Sequence, residues 1–389
     1  MKKKILFIIS NFETGGVSKS MTSLMNVIDQ EKYDVSLMVV SPKGALMGLL
    51  PSDIRLITNP IWEYLVSGPY GIIKLIKSKN LFLAIGHFIR LITSIFNKAY
   101  AGLLISKLMP PIDEYFDVIV DYNGQQQLYY MIDKLKAHKK VTFFHSDYRK
   151  WPYYYKSDKK YFPKVDYIFT ISDICVNSLK DYFPEEKDKI FLMENISSLK
   201  LIESMASIRL ENELIIQDIP TIITIGHLCE NKGTTWALQA ASILKKKRIP
   251  FHWYFLGKNL EEKYYNQLKR HLGLDDCVSF LGVRANPYPY IKSTTIVVHP
   301  SKFEGKSIAL DEVKLLCKPT VVTNFSTVND QFKNHKNASI CDMNPQSIAE
   351  AIEVLLGDKS LQRKYIVELM SERHDNSCEI KKLYKIFDE

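Results

Sequence analysis

Glu304-Gly-Lys-Ser-Ile-Ala-Leu-Asp-Glu312 stands directly behind Thr294 to Val298, an apolar, β-branched run of the kind that forms a buried strand. A turn at Gly305 and Lys306 leads to Ser307, an N-cap residue type, and then to helix formers as far as Leu316. The free N–H groups of that first helical turn point back toward Gly305 and Lys306, where they suit a phosphate. On a helical wheel, Ile308, Ala309, Val313, Leu315 and Leu316 share one apolar arc, and Asp311 and Lys314 lie outside it. Glu312 falls inside the arc. A buried carboxylate is costly unless something pairs or hydrogen-bonds it, so Glu312 is expected to have a partner. A glutamate reaching solvent at the helix edge is the ordinary alternative.

The same strand-turn-helix rhythm extends outward in both directions. Behind the stretch lies Pro319 to Thr323; ahead of it lie strands at Thr221 to Ile225, Phe251 to Leu256 and Val278 to Leu281, with helices from Thr234 and Leu260. The first half repeats the pattern with Ile5 to Ile9, Tyr33 to Val40, Ile54 to Thr58, Asp117 to Asp121, Lys140 to Phe144 and Tyr167 to Ile171. Two successive arrays of this kind predict an α/β chain with two parallel sheets. The boundary is expected near residue 198, giving domains 1–198 and 199–372, with the terminal segment 373–389 able to pack back on the first. The glycine turn Gly15-Gly16 follows the first strand, but the full G-x-G-x-x-G dinucleotide pattern is absent, which argues against NAD. His145 ends a predicted strand, at the edge where open α/β sheets bind ligands.

The rhythm breaks between Ile61 and Met109. From Ile61 to Lys107 the bases Lys74, Lys77, Lys79, Arg90, Lys98 and Lys107 face the single acid Glu63, interleaved with aromatic residues. A basic, aromatic amphipathic helix pair of this composition can lie on an anionic membrane surface. Helices packed on the sheet with a solvated lysine face account for the composition equally well.

The spacing Glu304-x7-Glu312, preceded by His299-Pro-Ser and followed by the Pro319 strand, resembles the donor-binding signature of retaining glycosyltransferases of family 4 type. That resemblance implies the GT-B fold, two Rossmann-like domains whose parallel sheets face an interdomain cleft. It also implies a nucleotide diphosphate sugar as donor, with UDP-sugar favoured, and no cofactor and no metal. Gly226-His-Leu-Cys-Glu-Asn-Lys-Gly233 is similar to the family's Gly-Arg-x-x-x-x-Lys-Gly turn, making Lys232 a charge on the diphosphate; the family's arginine is His227 here, a weaker cation. By resemblance, Glu304 contacts the donor sugar, His145 faces it, and Glu312 holds ribose hydroxyls. Gly15, Gly16, Lys306 and the backbone at Ser307, Ile308 and Ala309 then surround the diphosphate, and Val283 and Arg284 meet the base. Gly305-Lys306-Ser307 replaces the Gly-Phe-Gly of many relatives, which bears on donor sugar identity. Asn195 resembles the asparagine at the family's domain crossing.

At 389 residues, 46% apolar and 24% charged, the chain has the composition of a soluble globular protein with room for two cores. A net charge of +9 suits an anionic partner without choosing one. No recognised module supports nucleic acid. Met-Lys-Lys-Lys followed by Ile5 to Ile9 imitates a signal peptide, but its apolar core is too short, and no run reaches the roughly 18 apolar residues of a spanning helix. A cytoplasmic location is expected, peripheral on the inner face of the cell membrane if the 61–107 segment docks there. The implied acceptor is a glycan or lipid-linked glycan of surface polysaccharide synthesis. The competing readings are a catalytically silent sugar-nucleotide-binding subunit and a non-hydrolysing sugar-nucleotide epimerase.

Overall fold

The computed structural model describes residues 2–13, 15–209, 219–304, 306–372 and 375–389. Thr14, next to the Gly15-Gly16 turn, and Gly305, in the turn before Ser307, lie outside the described residues. The chain divides into two compact units, Met1–Ile196 with Asn376–Glu389, and Ser197–Asp375.

The first unit is built on seven strands: β1 (Lys3–Ile9), β2 (Tyr33–Val39), β3 (Arg55–Ile57), β4 (Tyr115–Asp121), β5 (Lys136–Phe144), β6 (Tyr167–Thr170) and β7 (Ile190–Leu192). They pair in the order β3-β2-β1-β4-β5-β6-β7, all parallel. Ile5 to Ile9 are buried without alternation, because helices cover both faces of the sheet. The terminal helix Lys381–Asp388 adds Leu383, Ile386 and Phe387 to the core of this unit, where Phe387 meets Phe7 and Tyr33 edge-on. Covering Phe387 stabilises the unit by roughly 1.5–3 kcal/mol.

The segment expected as a helix pair forms four helices: Pro60–Val66, Pro69–Lys77, Leu81–Phe96 and Lys98–Leu108. The breaks have local causes. Gly68 is left-handed (φ 61) before Pro69, Lys79 is left-handed (φ 61), and Asn97 leaves helical geometry to cap Tyr100 N–H. Trp62, Leu65, Leu75, Ala84 and Ile105 anchor the group on the core beside β1 and β4. Among the described residues, no helix is long and apolar enough to cross a membrane.

The second unit carries β8 (Thr221–Ile225), β9 (His252–Leu256), β10 (Val278–Gly282), β11 (Ile296–His299), β12 (Thr320–Thr323) and β13 (Ser339–Cys341). Their order is β10-β9-β8-β11-β12-β13, again parallel. In each sheet the order of strands reverses once, at β1/β4 and at β8/β11. A crevice opens beyond the strand ends at such a reversal, because the connections leave it in opposite directions.

Candidate active site at the carboxyl edges of the two sheets

At the β8/β11 reversal, two loops are locked together by a glycine. Gly233 is left-handed (φ 67), and a Cβ there would sit 1.8 Å from the Pro300 carbonyl oxygen, so only glycine lets the loop after β8 lie against the loop after β11. Lys302 N–H donates to the Asn231 carbonyl at 2.9 Å, and the Lys302 ammonium pairs with Glu230. The clasp brings Lys232 to Glu304, Nζ to Oε1 2.5 Å.

Glu304 is 9% exposed and is the hub of this edge. Its Oε1 also accepts from Ser301 Oγ at 2.8 Å and lies 2.9 Å from His299 Nε2. Burial by itself raises the carboxyl pKa, but the His299 hydrogen bond and charge, with the Lys232 ammonium, outweigh it and hold the group down at about 2. His299 and Ser301 were visible in the sequence beside the signature but carried no assigned role. Their signal is position, since they precede Glu304 on the loop that leaves β11.

The folded pKa of Glu304 is depressed, so its contribution to stability is complete above the unfolded value, ~4.3, and is lost as pH falls through the folded one. Thermal melting of wild type is expected to lose stability between about pH 5 and about pH 2 more steeply than Glu304→Gln, which removes this titration. Parallel melting profiles of the two proteins would contradict the pairing.

The helix after the signature turn runs Ile308–Leu315, one residue shorter than read from the sequence. Ser307 holds the N-cap position (φ −88, ψ 109), but its hydroxyl makes no capping bond. Gln331 instead fixes the turn from outside the helix: Ser307 N–H donates to Gln331 Oε1 at 3.0 Å, and Gln331 Nε2 donates to the Ser307 carbonyl and to Asp311 Oδ1. A partner 24 residues away has no local sequence signal. The wheel also missed Leu310, which is fully buried, while Ala309 and Leu316 are half-buried.

Glu312 is 1% exposed, and its Oε1 accepts from Tyr288 Oη at 2.8 Å. The expected partner is therefore a phenol on the short helix Tyr288–Ser293, held protonated by burial and by the Glu312 carboxylate. Arg284 reaches the same helix, Nε to Tyr290 Oη 3.2 Å, and its Nη1 donates to the Val283 carbonyl. Glu312 and Arg284 thus meet the same short helix two residues apart, at Tyr288 and Tyr290. Lys306 is half-buried at the signature turn, and His227 is exposed in the loop after β8.

In the first unit, Gly15 caps the helix Gly16–Val27 with an extended backbone (φ −82, ψ 161), and nothing lies within 4 Å of where its Cβ would be. Neither crowding nor φ requires glycine at Gly15; what it leaves is open space beside the first N–H groups of the helix. His145, just past β5, points Nδ1 at Asn195 Oδ1, 2.9 Å away. With the proton on Nδ1 for this bond, Nε2 is a bare acceptor, buried and without a hydrogen-bond partner. Burial lowers the imidazole pKa to about 4, against the opposing pull of Asn195 and the Tyr122 backbone, so the ring is neutral near pH 7. Asp121, at the end of β4, takes bonds from Thr142 Oγ1 and from the N–H groups of Asn123 and Gly124, and burial pushes its pKa up to about 7.

Each unit therefore gathers its candidates at the carboxyl edge of its own sheet: Gly15, Gly16 and His145 in the first, the remainder in the second. A model of the family described as glycosyl transferases group 1 matches residues 209–368. An uncharacterised glycosyltransferase of Haemophilus influenzae is 28% identical over 166 residues, 42% of this chain and 47% of that protein. The N-acetylgalactosamine-N,N'-diacetylbacillosaminyl-diphospho-undecaprenol 4-alpha-N-acetylgalactosaminyltransferase of Campylobacter jejuni is 22% identical over 206 residues, 52% of this chain and 54% of that protein. The chain thus matches about half the length of these curated relatives. The crystal structure of HepE from Anabaena in complex with UDP and glucose superposes with a TM-score of 0.70 at 13% identity, covering 100% of both chains. Residues 209–368 thus resemble the glycosyl transferases group 1, and the architecture of the chain is the GT-B fold.

Proposed function

We propose that the protein is a retaining glycosyltransferase that moves a sugar from a UDP-sugar to a hydroxyl of a glycan or lipid-linked glycan. The observation that carries the reading is the Lys232–Glu304 pair at the β8/β11 reversal, inside the region matched by the family model. A cation and a carboxylate preset at that edge suit a ligand with a diphosphate at one end and a polyhydroxylated ring at the other.

In this reading Lys232, His227 and Lys306, with the backbone N–H groups at Ile308 and Ala309 and the Gly15-Gly16 turn, stabilise the charge that grows on the departing diphosphate, while the Ser307 N–H stays with Gln331. Glu304, ionised at every physiological pH, accepts hydrogen bonds from the donor sugar. Glu312 takes the ribose hydroxyls, and the Val283–Arg284 backbone meets the base. His145 Nε2, a neutral acceptor, receives a hydroxyl of the donor sugar or of the incoming acceptor. The acceptor oxygen attacks the anomeric carbon from the face that the diphosphate leaves. The new C–O bond forms as the C–O bond to phosphate breaks, and the acceptor proton passes to the phosphate oxygen. No metal or cofactor enters this scheme.

Two comparisons support the finer assignments: HepE is crystallised with UDP and glucose, and the Campylobacter relative is named for an acceptor on a diphospho-undecaprenol. A calorimetric screen of UDP-sugars and GDP-sugars tests the donor. A UDP-sugar is expected to bind at least tenfold more tightly than its GDP counterpart; tighter GDP-sugar binding overturns the base assignment, and no binding of either overturns the reading.

A further inference from the structure

The chain leaving β12 backs the signature turn at both of its ends. Phe325, Val328 and Phe332 recur at helical spacing, and Thr327 and Gln331, four residues apart, occupy another side of the same stretch. Its bonding is helical: Val328 N–H donates to the Phe325 carbonyl, and Phe332 N–H to the Val328 carbonyl. The apolar side is buried in a small core shared with Leu310 of the helix Ile308–Leu315. Phe325 also meets the His299 ring edge-on, with centroids 6.1 Å apart. These contacts fix where Thr327 and Gln331 stand relative to the turn.

Thr327 Oγ1 donates to the Glu304 carbonyl at 3.0 Å. Gln331, 4% exposed, engages its whole amide: Oε1 accepts from Ser307 N–H, and Nε2 donates to the Ser307 carbonyl at 2.8 Å and to Asp311 Oδ1 at 2.7 Å. Donor and acceptor cannot exchange places, since Ser307 N–H offers only a proton and the carbonyl and carboxylate only lone pairs. The amide therefore has one orientation. Lys306 lies between the two anchored residues.

These bonds decide what the helix start offers a ligand. Of its first four N–H groups, those of Leu310 and Asp311 donate to the Ser307 carbonyl at 3.1 Å, which leaves Ile308 and Ala309 to face an anion. The Ser307 carbonyl and the Ile308 N–H belong to one planar trans peptide and point in opposite directions. A side chain that grips the carbonyl therefore aims that N–H away from itself. Gln331 also ties down the Asp311 carboxylate, whose charge opposes a diphosphate at the same helix start.

We infer that Gln331 is a positioning residue for the donor diphosphate, aiming the Ile308 and Ala309 N–H groups, and that Thr327 holds the backbone that carries Glu304 for the donor sugar. The inference rests on the nucleotide-sugar reading above.

Calorimetry on the full chain with UDP, with a UDP-sugar and with uridine, which has base and ribose but no phosphate, tests both roles. Gln331→Met, similar in length and without the amide, is expected to bind UDP about tenfold more weakly and uridine as wild type does. Gln331→Asn keeps a polar amide in the buried position but is too short to reach all three partners. It should also lose UDP affinity selectively, and it carries the test if Gln331→Met does not fold. Thr327→Val, which removes only the hydroxyl, is expected to weaken the UDP-sugar about threefold relative to UDP. A residue that merely supports the fold would change UDP and uridine affinity together or change neither. A wild-type ratio of UDP to uridine affinity in the folded Gln331 variants therefore overturns the role of Gln331, and a wild-type ratio of UDP-sugar to UDP affinity in Thr327→Val overturns that of Thr327. Wild-type protein that binds neither UDP nor uridine sinks the donor reading itself, and the inference with it.

Discussion

Lys232→Ala is expected to lower turnover by about 10²–10³-fold, the usual cost of removing one group that stabilises charge developing in a transition state. The ammonium is held 2.5 Å from Glu304 by the Gly233–Pro300 contact, so it needs little reorganisation to meet a diphosphate at the same edge. An interaction made chiefly with the developing charge depresses kcat more than it raises KM. The variant also strips Glu304 of one partner, while His299 and Ser301 still hold the carboxylate. Steady-state kinetics with donor affinity measured separately checks this. A variant with wild-type turnover and wild-type donor affinity removes Lys232 from the site.

Glu312→Gln is expected to weaken UDP and UDP-sugar binding by about 10–100-fold, since a hydrogen bond to a charged group contributes ~1.5–3 kcal/mol. The fold should persist, because the amide oxygen can still accept from Tyr288 Oη. Only 1% of Glu312 is exposed, so ribose binding through it requires whatever covers the carboxylate to give way. Calorimetry separates the two roles. Unchanged nucleotide affinity with a lowered melting temperature leaves Glu312 as the partner of Tyr288 and nothing more.

Much of this was legible in the chain. Parallel strands buried on both faces announce themselves as uninterrupted apolar runs, which is why Ile5 to Ile9 and Thr294 to Val298 were placed correctly to within two residues at either end. Glu312 betrayed itself by standing in an apolar arc. Its partner did not, because Tyr288 lies 24 residues away and only the fold brings it near. The same holds for Gln331, which bonds both the N–H and the carbonyl of Ser307 while the Ser307 hydroxyl makes no capping bond. The 61–107 segment showed its charge and its aromatics but not its geometry. Periodicity alone cannot tell a helix broken at Gly68, Lys79 and Asn97 from two longer ones, nor which apolar face finds a core and which remains outside.

The most direct test of the central claim is a crystal structure with UDP bound. The account predicts the diphosphate within hydrogen-bond distance of Lys232 Nζ and of the backbone N–H groups at Ile308 and Ala309, with the ribose hydroxyls on Glu312. A nucleotide bound away from the β8/β11 edge, with Lys232 still paired to Glu304 and no phosphate at the helix start, would contradict it.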